Sequence, residues 1–275
     1  MIQDNKPKKC FTIGYGDYPI DLFFYFLQKT GVDTIVDVRT SPYSSYNYSF
    51  NRDNLEKFLN THQIAYLYMG DKMGGMYSSP NLFFPDGTVN YQKVQSTEKF
   101  QEGLNQVLLI IASGKKIALM CAEKEPEKCH RFALISRVLQ SKGIKVVHIR
   151  PEIRLQDNRP EIRLQDNEDL ENELVNRIID HNQFRISDEP VNDVDTMYEK
   201  LNKSIAFKVK DFPHVGEEFS HYPAHDPSSP KKDLYSPVSI RGNTTYPSST
   251  VSDTGSQDNS FTGRHQKKEK QQTLF

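Results

Sequence analysis

Apolar positions along the first two-thirds of the chain switch between two periods. Short runs rich in β-branched residues occur at 10–14 (CFTIG), 34–39 (TIVDVR), 64–69 (IAYLYM), 116–121 (KIALMC) and 144–149 (IKVVHI). Runs of this length and composition, bounded by turn residues or charge, read as buried strands. Between them apolar residues recur at helical spacing: Leu22, Phe23, Phe26 and Leu27; Leu55, Phe58 and Leu59; Phe100, Leu104, Val107, Leu108 and Ile111; Phe132, Ile135, Val138 and Leu139. Gly143 stands where a C-cap would close the last of these, and a further helix fits 168–180 (EDLENELVNRIID). Strands alternating with helices predict an α/β fold, a mostly parallel five-stranded sheet with helices on both faces. Ligands of such folds sit beyond the carboxyl ends of the strands.

Two stretches interrupt this pattern. Residues 69–97 are too long for an ordinary connection and rich in glycine and aromatics, the character of a lid or binding loop. The nonapeptide RPEIRLQDN occupies 150–158 and recurs letter for letter at 159–167. Repeat architectures use longer periods and more copies, so the duplication is expected to lengthen a surface loop or hairpin and to have no function of its own. The periodic region, 1–182, is expected to form the α/β domain. Residues 183–219 read as a linker with one short strand in SIAFKVKDFPH. Residues 220–275 are dominated by polar residues and proline, and predict a disordered tail that cannot bury enough apolar surface to offset ordering entropy.

Composition narrows the function classes. Hydrophobic residues make up 36% of the 275 positions, and the formal net charge is −1. A near-neutral chain has no global electrostatic attraction to nucleic acid or to a membrane surface, so any nucleic-acid contact needs a local patch. Three cysteines do not make a disulfide framework and suit a reducing compartment. The opening MIQDNKPKKC lacks the apolar core of a signal peptide, and no apolar run reaches membrane-spanning length. The expectation is a cytoplasmic protein without a membrane partner.

The strand ends carry the chemistry. The first ends in GYGD, where Tyr15 and Gly16 could meet a ligand, since glycine lets backbone approach closely and free N–H groups hold anions. A tight strand-to-helix turn is the plainer reading. The second carries Asp37 and Arg39, which alternate and so share a face. Charges within a central strand are costly to bury unpaired. They form either an internal ion pair or an anion-binding arginine with an acid–base carboxylate beside it. The fourth opens into CAEKEPEKCHR, which brings Cys121, Glu123, Cys129, His130 and Arg131 within one loop. A thiol at a helix start, beside imidazole and guanidinium, is placed to ionise. Spacing excludes some chemistries. A phosphatase or rhodanese-type loop needs arginine six positions after the cysteine, where Cys121 finds Glu127. Seven residues separate the two thiols of the loop, unlike the close pairs of thioredoxin or zinc motifs. The chain spacing therefore indicates neither metal nor cofactor.

The order of TIGYGD, DTIVDVRTSP, YMGDKMGG and CAEKEPEKCHR…ISRVL resembles domain-of-unknown-function family 488 over roughly residues 10–180. The resemblance implies an α/β sandwich and a pocket shared by these loops. This chain departs from the family in the duplicated nonapeptide and in the arginine-poor stretch YSSYNYSFN (43–51).

At the other end, Gln271, Leu274 and Phe275 fit the Q-x-x-L-F pattern that resembles a sliding-clamp-binding motif. There leucine and phenylalanine fill an apolar pocket while glutamine bonds at the rim. The expectation that unites these features is an enzyme acting on a nucleotide or nucleic acid in DNA repair or modification, recruited to a sliding clamp by its tail. Glu123 and Asp37 are its acid–base candidates, Cys129 or Cys121 its candidate nucleophile, and Tyr15, Gly16, Arg39, His130 and Arg131 its ligand-binding candidates. Two other readings stay open: a non-catalytic nucleotide- or DNA-binding adaptor, and a cysteine-based redox or sulfur-transfer enzyme.

Overall fold

The computed structural model describes residues 8–153, 159–182 and 194–209. The chain order is β1 (Lys9–Gly14), α1 (Ile20–Thr30), β2 (Thr34–Asp37), α2 (Arg52–Thr61), β3 (Ala65–Tyr68), α3 (Gly70–Met73), α4 (Tyr91–Gln95), α5 (Glu98–Ala112) and β4 (Ile117–Cys121). A π-helical turn, Arg131–Ser136, then runs into α6 (Arg137–Ser141), followed by β5 (Lys145–Ile153), β6 (Pro160–Asp166), α7 (Asn167–Asn182) and α8 (Val194–Ile205). The strands form a single six-stranded sheet in the order β3-β2-β4-β1-β5-β6. The five expected strands pair in parallel with their neighbours, which places β4 and β1 at the centre. The sixth runs antiparallel to β5, and it is the second copy of the nonapeptide.

Alternation along the strands feeds two cores. Phe11, Ile13, Ile35 and Met120 face α1 and α2, where Phe23, Phe26, Leu27, Leu55 and Leu59 bury the stripe read from the sequence. Val36, Leu119 and Val146 face the other layer, built by Phe100, Leu104 and Val107 of α5 and by Ile135 and Leu139. Helix ends follow their residues. The Thr97 side chain accepts from the Phe100 N–H to start α5, and Gly31, at φ 65°, closes α1. Gly143, at φ 76°, donates its N–H to the Gln140 carbonyl beyond α6, as its position in the sequence implies.

Three regions differ from the sequence reading. Strand β2 stops at Asp37, so Arg39 lies beyond it. The long connection after β3, expected as a lid or binding loop, is mostly packed: Met73, Phe83, Val89, Tyr91 and Val94 are buried in the α5-side core. Residues 194–205, expected as linker, form α8, whose Met197 and Tyr198 enter the same core. Asn202 of α8 binds the Tyr91 N–H (2.9 Å) and the Val89 carbonyl (2.8 Å). Of the expected short strand in SIAFKVKDFPH, the residues up to Val209 are described, and there Lys208 makes an isolated antiparallel bridge with Thr88. The expected tail, with Gln271, Leu274 and Phe275, lies outside the described residues. Among the described residues no helix is long and apolar enough to cross a membrane.

Candidate functional site

The central strands β1 and β4 end side by side, Gly14 opposite Cys121. From there β1 turns toward α1 and β4 toward the loop 122–130. The two turns zip together: the Tyr15 N–H donates to the Cys121 carbonyl (3.1 Å) and the Gly16 N–H to the Ala122 carbonyl (2.9 Å). A side chain on Gly14 would place its Cβ 1.8 Å from the Glu123 carbonyl oxygen, so only glycine lets the loop lie this close. The Gly16 amide, a candidate anion donor in the sequence, holds the loop.

The loop returns through a tight turn at Pro126–Lys128 and brings Cys129 and His130 back over Cys121. Four side chains converge there. The Cys121 Sγ and Cys129 Sγ lie 2.7 and 3.1 Å from the Glu123 Oε2, and 3.9 and 3.7 Å from the His130 Nδ1. All four donor atoms fall within 4.8 Å of one another. Both cysteines and His130 are buried, whereas Glu123 is the exposed member with its carboxyl end turned inward. The His130 Nε2 lies 2.9 Å from the Val38 carbonyl. A carbonyl only accepts, so Nε2 carries a proton, and Nδ1, which faces the thiols, is a lone pair in the neutral ring and an N–H donor in the imidazolium. The Gly75 backbone packs against this ring, since a Cβ there would stand 3.0 Å from Nδ1.

Arg131, only 1% exposed, lies beneath the loop. Its Nη1 and Nη2 donate to the Glu123 and Lys124 carbonyls at 2.6 and 2.9 Å, while its Nε is buried without a hydrogen-bond partner among the described residues. The guanidinium therefore props the loop, and its burial keeps it from an external anion. Arg150, from β5, clamps the outside of the loop through Glu125 (2.5 Å) and Glu127 (2.9 Å). The π-helical turn that follows is tied by the Ser136 hydroxyl, which donates to the Arg131 carbonyl (2.7 Å). Such turns interrupt helices most often at functional sites.

Electrostatics separate the two thiols. Burial pushes the Cys121 thiol well above the ordinary range, and contact with Cys129 pushes it further. Burial acts on Cys129 in the same direction, but a hydrogen bond from Cys121 and the charges of Arg131 and His130 outweigh it and hold this thiol well below the ordinary range. Two thiols in contact share the task of ionising, and the one facing the cations ionises first. Burial and then the Cys129 charge raise the Glu123 carboxyl. Burial opposes protonation of His130, and the neighbouring Cys129 overcomes it to raise its pKa.

The other candidates lie at the end of β2. Asp37 is wholly buried and Arg39 is 5% exposed. Arg39 donates its Nε (2.9 Å) and Nη2 (2.6 Å) to the Asp37 carboxylate, and its Nη1 to the Tyr15 hydroxyl (3.3 Å). The Tyr66 hydroxyl donates to the same carboxylate (2.6 Å). Burial alone would lower the Arg39 pKa, but the bond to Asp37 raises it above its ordinary value. The Tyr15 ring stacks on Phe50, centroids 4.1 Å apart. The geometry is that of an internal ion pair with its own aromatic shelf, and neither Arg39 nor the face of Tyr15 on Phe50 is open to a ligand. Sequence reasoning passed over the exposed aromatics of the next loop, Tyr43, Tyr46 and Tyr48, which are 45, 98 and 65% exposed. Their signal was the aromatic density of YSSYNYSF, at the same carboxyl edge of the sheet.

A family model, Domain of unknown function DUF488, matches residues 19–138. The match supports the resemblance drawn from the motifs and takes in the whole loop from Cys121 to Arg131, but not β1 or the GYGD turn. No curated protein and no solved structure matches the chain.

Proposed function

We propose that this chain is an enzyme whose reacting centre is the cluster Cys121, Glu123, Cys129 and His130, and that its substrate is a nucleotide or nucleic acid. The observation that carries the reading is the convergence of four reactive side chains at the carboxyl ends of the two central strands, the position at which folds of this kind place ligands. Glu123 is the acid–base group: it sits at the exposed rim, and its raised pKa keeps a proton exchangeable closer to neutrality. The exposed Tyr43, Tyr46 and Tyr48 favour a substrate with flat rings, since bases stack on aromatic faces regardless of sequence. The tail motif at Gln271, Leu274 and Phe275 favours recruitment to a sliding clamp.

The test is turnover of nucleotides and of single- and double-stranded DNA by the full chain, alongside Glu123→Gln and Tyr46→Ala. Glu123→Gln is expected to abolish turnover with an unchanged circular dichroism spectrum, and Tyr46→Ala to raise KM more than it lowers kcat. A full chain that neither binds nor converts any of these ligands sinks the substrate assignment. For recruitment, a peptide covering 267–275 is expected to bind the host clamp at roughly micromolar Kd, about −8 kcal/mol, and to lose binding with Leu274→Ala and Phe275→Ala. No binding at high micromolar peptide removes the clamp from the proposal.

One observation favours a second reading, a cysteine-based redox or sulfur-transfer enzyme. The thiols in contact are unequal, Cys129 lowered and Cys121 raised, as in a nucleophile with its resolving partner. A disulfide between them after mild peroxide treatment, with activity dependent on a thiol reductant, would favour it.

A further inference from the structure

We propose that Cys121, Cys129, His130 and Glu123 bind one divalent metal ion of the zinc class. The metal rests on the cluster's geometry alone; only its catalytic role depends on the cluster being the reacting centre.

The donor set is two thiolates, one imidazole and one carboxylate, a combination that suits zinc. Bond lengths of about 2.3 Å to sulfur and 2.0–2.2 Å to nitrogen or oxygen put a sulfur and a nitrogen or oxygen of a tetrahedral site about 3.5–3.7 Å apart. The sulfur-to-imidazole separations, 3.9 and 3.7 Å, lie within about 0.4 Å of that. The sulfur-to-carboxylate separations, 2.7 and 3.1 Å, are shorter, so the carboxylate must withdraw by less than about 1 Å. Glu123 is the exposed residue of the set, and withdrawal moves its inward-turned carboxyl end toward the surface.

The surroundings fit ligation. The His130 Nε2–H donates to the Val38 carbonyl at 2.9 Å, which fixes the ring and the tautomer that offers Nδ1, as outer partners of metal-bound histidines do. The Arg131 backbone N–H points at the Cys129 sulfur (3.5 Å). Charge balances as well. Two thiolates and a carboxylate carry three negative charges, and a divalent ion leaves one. Arg131 is buried at 1% exposure, and among the described residues it bonds carbonyls and no carboxylate. Its single positive charge neutralises the metal-loaded centre. Three buried donors form a permanent seat, and Glu123 is the ligand that yields to water or substrate. Zinc sites that keep one exchangeable position act as Lewis acids. A metal here occupies both thiolates and displaces the redox reading.

Chain spacing argued against zinc because it tests for donors supplied by one short knuckle. Here a strand end supplies one thiol and a helix start the other, and the loop between them, turning back at Pro126–Lys128, brings them together.

The experiment uses the full chain, reduced and stripped of metal, titrated with Zn²⁺ against a chromophoric chelator and then loaded with Co²⁺. One equivalent is expected to bind, and the cobalt form is expected to show thiolate-to-cobalt charge transfer with intense tetrahedral ligand-field bands. Cys129→Ser is expected to weaken zinc by more than the roughly 10–100-fold typical of outer-shell changes. Glu123→Gln, at an exposed position, is expected to fold normally, retain the metal more weakly and shift the cobalt spectrum. Absence of binding by the reduced wild-type chain, or a cobalt spectrum without thiolate charge transfer, overturns the metal; it leaves the reacting centre standing if alkylation of the thiols abolishes turnover. Stoichiometric metal with unchanged turnover in Glu123→Gln upholds the metal site and instead removes the reacting centre.

Discussion

Arg39 and Asp37 show how a charged pair can occupy the expected place of a site and serve the fold. Their mutual bonds, the Tyr66 hydroxyl and the Arg39 backbone N–H saturate the buried carboxylate. Removing the cation leaves that charge uncompensated in a low-dielectric interior. Arg39→Met is therefore expected to destabilise the protein by on the order of 3–5 kcal/mol, read as a shift of the urea midpoint. Adding Asp37→Asn is expected to recover part of the loss. A substitution at Arg39 that abolishes ligand binding while stability stays within about 0.5 kcal/mol would return it to the site. His148 gives a prediction in pH. Its Nε2 lies 3.0 Å from the Asn167 Oδ1, which can only accept, so its Nδ1 takes the Thr12 hydroxyl proton at 2.8 Å. Burial, then the Arg131 charge, lowers its pKa from 6.5 to about 3. Above pH 6.5 neither the folded nor the unfolded form is protonated. Between pH 6.5 and 3 the unfolded chain binds a proton that the folded chain refuses, so stability falls on acidification. The stability gap between wild type and His148→Gln is expected to narrow by up to about 1.4 kcal/mol per pH unit across that window. A gap independent of pH would show that His148 takes up its proton within the fold.

At the scale of elements, the duplicated nonapeptide has become a ribbon that pairs with itself. Arg150, Pro151, Glu152 and Ile153 of the first copy lie opposite Arg163, Ile162, Glu161 and Pro160 of the second. The two ends of the duplication are anchored. Arg150 clamps the candidate-site loop, and Asn167 is buried against His148 and Glu171. Deleting nine residues retains one copy of each anchor. It also preserves the register: the residues then facing Val147, His148 and Ile149 are again aspartate, glutamine and leucine, and Pro-Glu-Ile becomes a three-residue turn beyond an arginine pair. Among the described residues the deletion removes the outer rungs, the partly buried Ile162 beside the α1-side core, the Tyr25 hydroxyl's bond to the Pro160 carbonyl and the exposed Arg163–Glu152 pair, the last of which is worth little. The melting temperature is expected to move by a few degrees, equivalent to about 1 kcal/mol. Asn167→Ala, which strands buried partners, is expected to cost about 2 kcal/mol or more. A deletion more damaging than Asn167→Ala would show that the distal ribbon carries packing of its own.

At the scale of the molecule, α8 belongs to the α5-side core although it follows the periodic region of the sequence. Met197, Tyr198 and Asn202 are buried, and the Tyr198 hydroxyl donates to Glu171 at 2.7 Å. A chain ended after Asn182 is expected to lose several kcal/mol, since two buried side chains at about 2–5 kcal/mol each go with it, and to expose the α5-side core to a hydrophobic dye. A chain ended after Val209 is expected to keep that core covered. Equal stability of the two truncations would mean that α8 only rests on the domain. The strand and helix periods were legible in the sequence because each element buries one face, and burial writes its period directly into residue order. The strand-end rule likewise singled out Cys121, Glu123, Cys129 and His130 as chemistry. What residue order could not carry was the partner of each group. Tyr15 laid on Phe50 and α8 returning to the core depend on contacts between residues far apart in the chain, and Arg131 turned onto the backbone carbonyls of its own loop depends on how that loop folds back. Arg39 lies two residues from Asp37, and only its surroundings decide between an ion pair and a ligand-binding group. The grouping of two thiols, an imidazole and a carboxylate into one tetrahedral-sized volume likewise depends on the path of the loop. It follows from two parallel strands ending side by side and from a glycine that lets the loop close over them, distances that local spacing does not encode.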